Sequence, residues 1–181
     1  MTDLVLTLIG PDRPGLVEAV AGVVASHDGN WLESRMAHLA GKFAGILRLE
    51  VPGEKAQALL AALEALTTQG LKVVGESAED AKPAALGRTL DLELVGLDRP
   101  GIVREVSQLL ADSGANVEEL STDRSSAPMS GEMLFQAKAR VNFPSAADLA
   151  TLRKALERLA SDLMIEIRLV ETALDVKLPK P

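Results

Sequence analysis

Apolar residues in this chain recur at two spacings, in an order that is run through twice. Leu4–Ile9 forms an apolar strand, and a turn rich in Gly, Asp and Pro follows. Leu16, Val20, Val23 and Val24 then fall at helical spacing. A second strand opens near Asn30, and a third alternates Leu47, Leu49 and Val51 with Arg48 and Glu50. Leu59, Leu60, Leu63 and Leu66 mark a second helix, and Leu71–Gly75 a last strand. The same succession returns from Leu90, Leu92 and Leu94, set between Asp91 and Glu93. It continues through a helix on Ile102, Val106, Leu109 and Leu110 and a strand opening near Asn116. A strand on Phe135, Ala137, Ala139 and Val141, a helix on Leu149, Leu152, Leu156 and Leu159, and a strand on Ile165, Ile167 and Leu169 complete it.

The succession β-α-β-β-α-β predicts an α+β fold: two ferredoxin-like domains, each an antiparallel four-stranded sheet with two helices on one face. Alternating strands suit a sheet covered on one side, so the other side must be polar or must pair with something. Direct repetition supports the duplication. GPDRPGLVEAVAGVVASHDGNWLE at 10–33 aligns without gaps with GLDRPGIVREVSQLLADSGANVEE at 96–119. The predicted boundaries are 1–77 for the first domain, 78–88 for a linker without periodicity, 89–173 for the second domain and 174–181 for a frayed tail. Pro14 and Pro100 suit a first helical turn, where a missing N–H costs nothing. The hairpin loop Ser125–Gly131 reads as longer than its counterpart near Leu39–Gly45.

Composition narrows the chemistry. The 181 residues include no cysteine, which rules out disulfides, thiolate catalysis and Cys-ligated zinc. No apolar run is long enough to span a bilayer, and the first fifteen residues lack a basic leader, so a cytoplasmic protein without membrane attachment is expected. The net charge is −7, and both halves are acidic. Direct nucleic-acid binding is therefore not expected. The two histidines, His27 and His38, stand without a second ligand at metal spacing, and along the repeat their counterparts read as Ser113 and Thr122. Nothing frames a nucleophile or a phosphate loop, so neither enzyme activity nor any cofactor is expected.

D-R-P-G-[LI]-V between the first strand and first helix of each unit, with Asn opening the second strand, resembles the ACT domain, a regulatory module that mostly binds amino acids. The longer stretches NWLESRMAHLAGKFAGILRLEVP and SSAPMSGEMLFQAKARVNFP are similar to the glycine cleavage system transcriptional repressor family. DRPG also opens formyltetrahydrofolate deformylases and some phosphoserine phosphatases, which add a catalytic domain. The resemblance implies a non-catalytic regulator without a DNA-binding domain, responsive to glycine or another small amino acid. It would act through a protein partner, a transcriptional activator among the candidates.

The candidate ligand-binding residues are Asp12, Arg13, Pro14, Gly15, Leu16 and Asn30, with Asp98, Arg99, Pro100, Gly101, Ile102 and Asn116 in the second repeat. A helix N-terminus presents N–H groups and partial positive charge to an α-carboxylate. Gly15 and Gly101 admit close approach, Asp12 or Asp98 can receive an α-ammonium, and Asn30 or Asn116 can add donors and acceptors. The competing reading makes these tight turns with Asp12 and Asp98 as helix caps. Arg13 and Arg99 read as solvated, with pairing to nearby carboxylates as the alternative. Trp31, the only tryptophan, follows Asn30 and is a natural reporter. The half-covered sheets also imply a homodimer. The alternative function is a ligand-free interaction or scaffolding module of the same fold.

Overall fold

A computed structural model describes residues 1–78, 87–127 and 131–171. The chain divides into two compact units, Met1–Ala81 and Lys82–Pro181, each with its own core. Unit 1 runs β1 (Thr2–Pro11), α1 (Leu16–Ser26), β2 (Asn30–Leu39), β3 (Lys42–Val51), α2 (Ala56–Glu64) and β4 (Lys72–Ser77). Unit 2 runs β5 (Gly87–Leu97), α3 (Ile102–Asp112), β6 (Asn116–Ser126), β7 (Met133–Pro144), α4 (Leu149–Leu163) and β8 (Ile165–Glu171). The sheet orders are β2-β3-β1-β4 and β6-β7-β5-β8, antiparallel throughout. Most of the proposed linker (79–86), the tail 174–181 and residues 128–130 of the hairpin loop lie outside the described residues. Gly87 and Arg88, assigned to the linker from sequence, already belong to β5.

Both sheets are organised by a central strand with leucine at every second position. Leu4, Leu6 and Leu8 on β1 are buried, as are Leu90, Leu92 and Leu94 on β5. Because strand side chains alternate, all three leucines of a strand face the same way, toward the helices. In unit 1, α1 covers them with Leu16, Val20 and Val24, and α2 with Leu59 and Leu63. In unit 2, Ile102, Val106 and Leu110 on α3 and Leu152, Leu156 and Leu163 on α4 do the same. Removing one such leucine to Ala in a packed core of this kind costs about 2–5 kcal/mol.

The opposite faces differ. On sheet 2, Lys138 pairs with Glu93 at 3.1 Å, while Arg140 reaches both Asp91 and Glu119. That face carries cross-strand ion pairs, with Val95 and Val170 exposed beside them. On sheet 1, Ile46 and Val74 both stand opposite Thr7, forming a row across three strands, with Ile9 one step along β1. All three aliphatic residues are exposed, Ile46 by 55%.

The repeat extends further than direct alignment suggests. His38 pairs with Phe43 and Arg124 with Phe135, at matching positions of the two hairpins. The structural counterpart of His38 is therefore Arg124, not Thr122; the offset of 86 holds through the second strand. It breaks in the following hairpin. Ala40 and Gly41, both at positive φ, make a two-residue turn between Leu39 and Lys42. In unit 2 the pairing ends at Ser126 and Met133, so the connection is longer, as the sequence indicates. His27 sits at the C-terminal cap of α1, where its Nδ1 lies 2.9 Å from the Val23 carbonyl.

Gly10 and Gly96 recur for a steric reason. A Cβ on Gly10 would lie 2.7 Å from the Gly70 carbonyl oxygen, and one on Gly96 would lie 2.8 Å from Ile165 Cβ. Gly10 lets the end of the central strand pass the segment leading into the last strand, and Gly96 lets it pass the first residue of that strand. Gly10→Ala should therefore destabilise the protein by about 1–3 kcal/mol, the usual cost of overpacking a site that cannot relax. Urea unfolding checks this, and an unchanged midpoint contradicts it.

Among the described helices, α4 alone carries a side-chain cap. Asp148 accepts from the Ala150 N–H at 2.9 Å and from the Thr151 hydroxyl at 2.7 Å, and opens α4. The Thr151 hydroxyl first, and then the Ala150 N–H, hold its carboxyl below the ordinary carboxylate range. A carboxyl held low in the fold stabilises it above the unfolded value of about 4 and loses that contribution as pH falls through the lowered folded value. Asp148→Ala should lower the melting temperature at pH 7, and the gap to the natural protein should shrink on acidification below pH ~4. A gap independent of pH contradicts the assignment.

Candidate functional site

The twin turns have the same backbone. Each central strand ends, two residues follow, and a proline and a glycine lead into the helix. Gly15 takes φ 89° and Gly101 φ 100°, left-handed values that L side chains rarely adopt. Each glycine is the N-cap, and its carbonyl accepts the first helical bond, from Ala19 at 2.9 Å and from Glu105 at 3.0 Å. Pro14 and Pro100 stand one place before that cap, outside the helix, rather than in its first turn as the sequence suggests. The positive φ of glycine at the cap displaces the helix start by one residue.

Neither α1 nor α3 has a side-chain cap, so Asp12 and Asp98 are not capping residues. Their backbone N–H groups donate instead to the neighbouring hairpins, Asp12 to the Gly41 carbonyl at 2.9 Å and Asp98 to the Met133 carbonyl at 2.8 Å. The helix N-termini are thus left to other acceptors.

The two carboxylates have different company. Asp98 is held by Arg124 at 2.6 Å and its side chain is 23% exposed, whereas Asp12 faces His38 at 3.5 Å and is 42% exposed. A guanidinium carries its charge at all ordinary pH values, and an imidazole does not. Asp98 is therefore closely paired with a fixed charge, while Asp12 is more exposed and stands farther from its partner. The arginines diverge as well. Arg13 donates to the Gln69 carbonyl at 3.1 Å. Arg99 lies 3.9 Å from Glu105, and its Nε is buried without a hydrogen-bond partner among the described residues. Neither arginine is merely solvated.

Asn30 and Asn116 do not join these turns within their own repeats. Asn30 and Asp3 are both opposite Glu50, so Asn30 stands level with the start of β1. Asn116 and Thr89 are both opposite Asn142, with the same consequence on β5. The turn begins nine residues further along the central strand, about 30 Å away at the usual rise. Asn30 instead donates to Glu50 at 3.0 Å. Trp31 is level with Leu4, at the same far end, and packs on the core. It is not a contact reporter for the turn of its own repeat.

The turn's true neighbours are His38, Arg124 and the Gln69 carbonyl, none of them among the candidates chosen from sequence. A sequence signal for the first two existed: at the common offset of 86, each stands as a basic residue in the strand that reaches its repeat's aspartate. Among the described residues, no group of three His, Asp or Glu side chains is placed to hold a metal ion. No described helix is long and apolar enough to cross a membrane.

Comparison with known proteins fits this geometry. Models of the ACT domain match residues 2–75 and 87–161. A solved structure of an unknown protein from Galdieria sulphuraria is 31% identical, with a TM-score of 0.84 over 95% of this chain and 99% of that one. A second, titled provisionally as a glycine cleavage system transcriptional repressor, is 19% identical, with a TM-score of 0.71 over 94% of this chain and 98% of that one. At that identity the second likeness shows the fold alone. No curated protein matches. With ACT models on both units and a relative of 31% identity along nearly its whole length, the chain belongs to the ACT domain family, as two ACT domains in tandem.

Proposed function

We propose that this protein is a non-catalytic, amino-acid-responsive regulator, and that the turn of repeat 1 takes the zwitterionic end of glycine or a closely related small amino acid. The observation that carries the proposal is the uncapped start of α1 beside the weakly engaged carboxylate of Asp12. A zwitterion needs an anion site and a cation site a few ångströms apart. The first N–H groups of α1 suit the carboxylate, and Asp12 suits the ammonium. Gly15, which has no other atoms near its Cβ position, leaves the approach open. In repeat 2 the pairing of Asp98 with Arg124 leaves less negative charge for an ammonium, so the second turn is the weaker site. Asn30 or Asn116 would contribute only across an interface, from another ACT unit placed against the turn.

The titled repressor suggests the output: modulation of a transcription factor of glycine cleavage by protein contact, with no contact to DNA by this chain. The acidic charge of −7 favours a protein partner over a phosphate backbone. The protein acts in the cytoplasm in this reading. The alternative, a ligand-free interaction module, is favoured by one observation, the exposed aliphatic row on sheet 1.

Two outcomes are expected. Calorimetry should detect glycine or a near relative, with Asp12→Ala or His38→Arg weakening binding at least about tenfold, a loss of about 1.4 kcal/mol. The exposed Glu64→Ala change should leave binding unaltered, and unfolding midpoints measured alongside separate lost binding from lost fold. Silence toward every small amino acid at millimolar concentration would move the assignment to the interaction module. The aliphatic row on sheet 1 should also support a homodimer. Light scattering should give a dimer that Ile46→Asp converts to monomer, and a natural protein that is already monomeric contradicts this.

A further inference from the structure

The two repeats fill one region of their cores differently. Between α3 and the β5–β7–β6 side of sheet 2 lies a cavity of about 290 Å³, lined by Ile102, Val106, Val117, Leu120, Phe135 and Ala139 among others. Among the described residues, Ser107 is the only polar one lining it, and no charged side chain does so.

Register identifies the equivalent residues of repeat 1. Trp31 and Val117 stand opposite Leu49 and Val141, the partners of Leu4 and Leu90. Leu47 and Ala139 stand opposite Leu6 and Leu92, and Met36 and Thr122 opposite Gly45 and Ala137. Of the smaller residues of repeat 2, Val117 and Ala139 line the cavity, where repeat 1 has Trp31 and Leu47. Gly45 and Ser34 give way to the larger Ala137 and Leu120, yet Leu120 remains 53% exposed and leaves the space open. In unit 1 the space is occupied by the chain itself: Trp31 and Met36 pack against the buried cluster and Leu47 is wholly buried. In unit 2, Val117, Leu120 and Thr122 are exposed.

We propose that this cavity of repeat 2 is a binding site for a small, neutral, apolar molecule, with the bulk of an indole ring or a branched aliphatic chain. Repeat 1 supplies the template for the occupant, because an indole and a leucine side chain already fill the equivalent space there. The lining sets the class. A charged group inserted among these residues would lose its hydration and gain no partner. The volume lies near the lower limit of ordinary ligand pockets, about 300 Å³, which suits a compact ring and excludes an extended lipid chain. The site borders the turn of repeat 2 at Ile102 but uses neither Asp12 nor Asp98, so loss of amino-acid binding at Asp12 leaves it standing.

Indole is the probe, added to the full chain labelled with ¹³C at its Ile, Leu and Val methyls. Saturable shifts are expected at Ile102, Val106, Val117 and Leu120, with Val20 and Leu47 of repeat 1 unmoved. Ala139→Leu restores the residue that repeat 1 has and should weaken indole binding at least about tenfold. Should that variant fail to fold, Val117→Trp fills the same space, and its new tryptophan should emit as a buried indole while binding is lost. Shifts scattered over both repeats, no shifts in the cavity, or undiminished binding by whichever variant folds would each overturn the proposal.

Discussion

Each domain depends on the alternation of one central strand. Burying Leu4, Leu6 and Leu8 on one side of β1 requires two helices on that side, and β3 and β4 at its edges satisfy the strand's backbone. The helix that follows must then turn back at once over the leucines. Gly15 and Gly101, at positive φ, make that reversal within a few residues of the strand's end. The uncapped helix start is a consequence of this geometry. A glycine has no side chain with which to cap the helix, and the aspartates nearby are tied to the hairpins through their backbone N–H groups.

Duplication preserved that frame and let its surroundings drift. Two of the differences lie in the second strand of each repeat. Replacing His38 by Arg124 changes how firmly the turn's aspartate is engaged, and replacing Trp31 by Val117 changes whether the core is filled. The outer faces differ at one position: Ile46 and Val74 flank Thr7 on sheet 1, where Lys138 and Arg168 flank Glu93 on sheet 2. One fold thus presents two chemically different units.

Much of this was legible in the sequence, because period 2 and period 3.6 are local. The leucines of β1 and β5, the apolar faces of α1 and α3 and the order β-α-β-β-α-β follow from spacing alone. The turn at Asp12–Leu16 is likewise local. What spacing cannot give is which end of a paired strand meets the turn. Asn30 is near Asp12 in sequence logic, since it opens the strand after the helix, yet antiparallel pairing sends it to the far end of the sheet. His38, eight residues on, arrives beside the turn. The cavity was invisible for a similar reason: it depends on Val117 and Ala139 being small together, and pairing brings them together where sequence separation does not.

The most direct test of the account is where a small amino acid touches the chain. With the protein labelled at its backbone amides by ¹⁵N, glycine should shift Gly15, Leu16, Val17 and Glu18 saturably, with weaker changes at Gly101–Arg104 and none at the far-end residue Trp31 unless an interface brings another ACT unit there. Shifts confined to repeat 2, or no saturable shift at either turn, would contradict the claim that the start of α1 beside Asp12 is the sensing site.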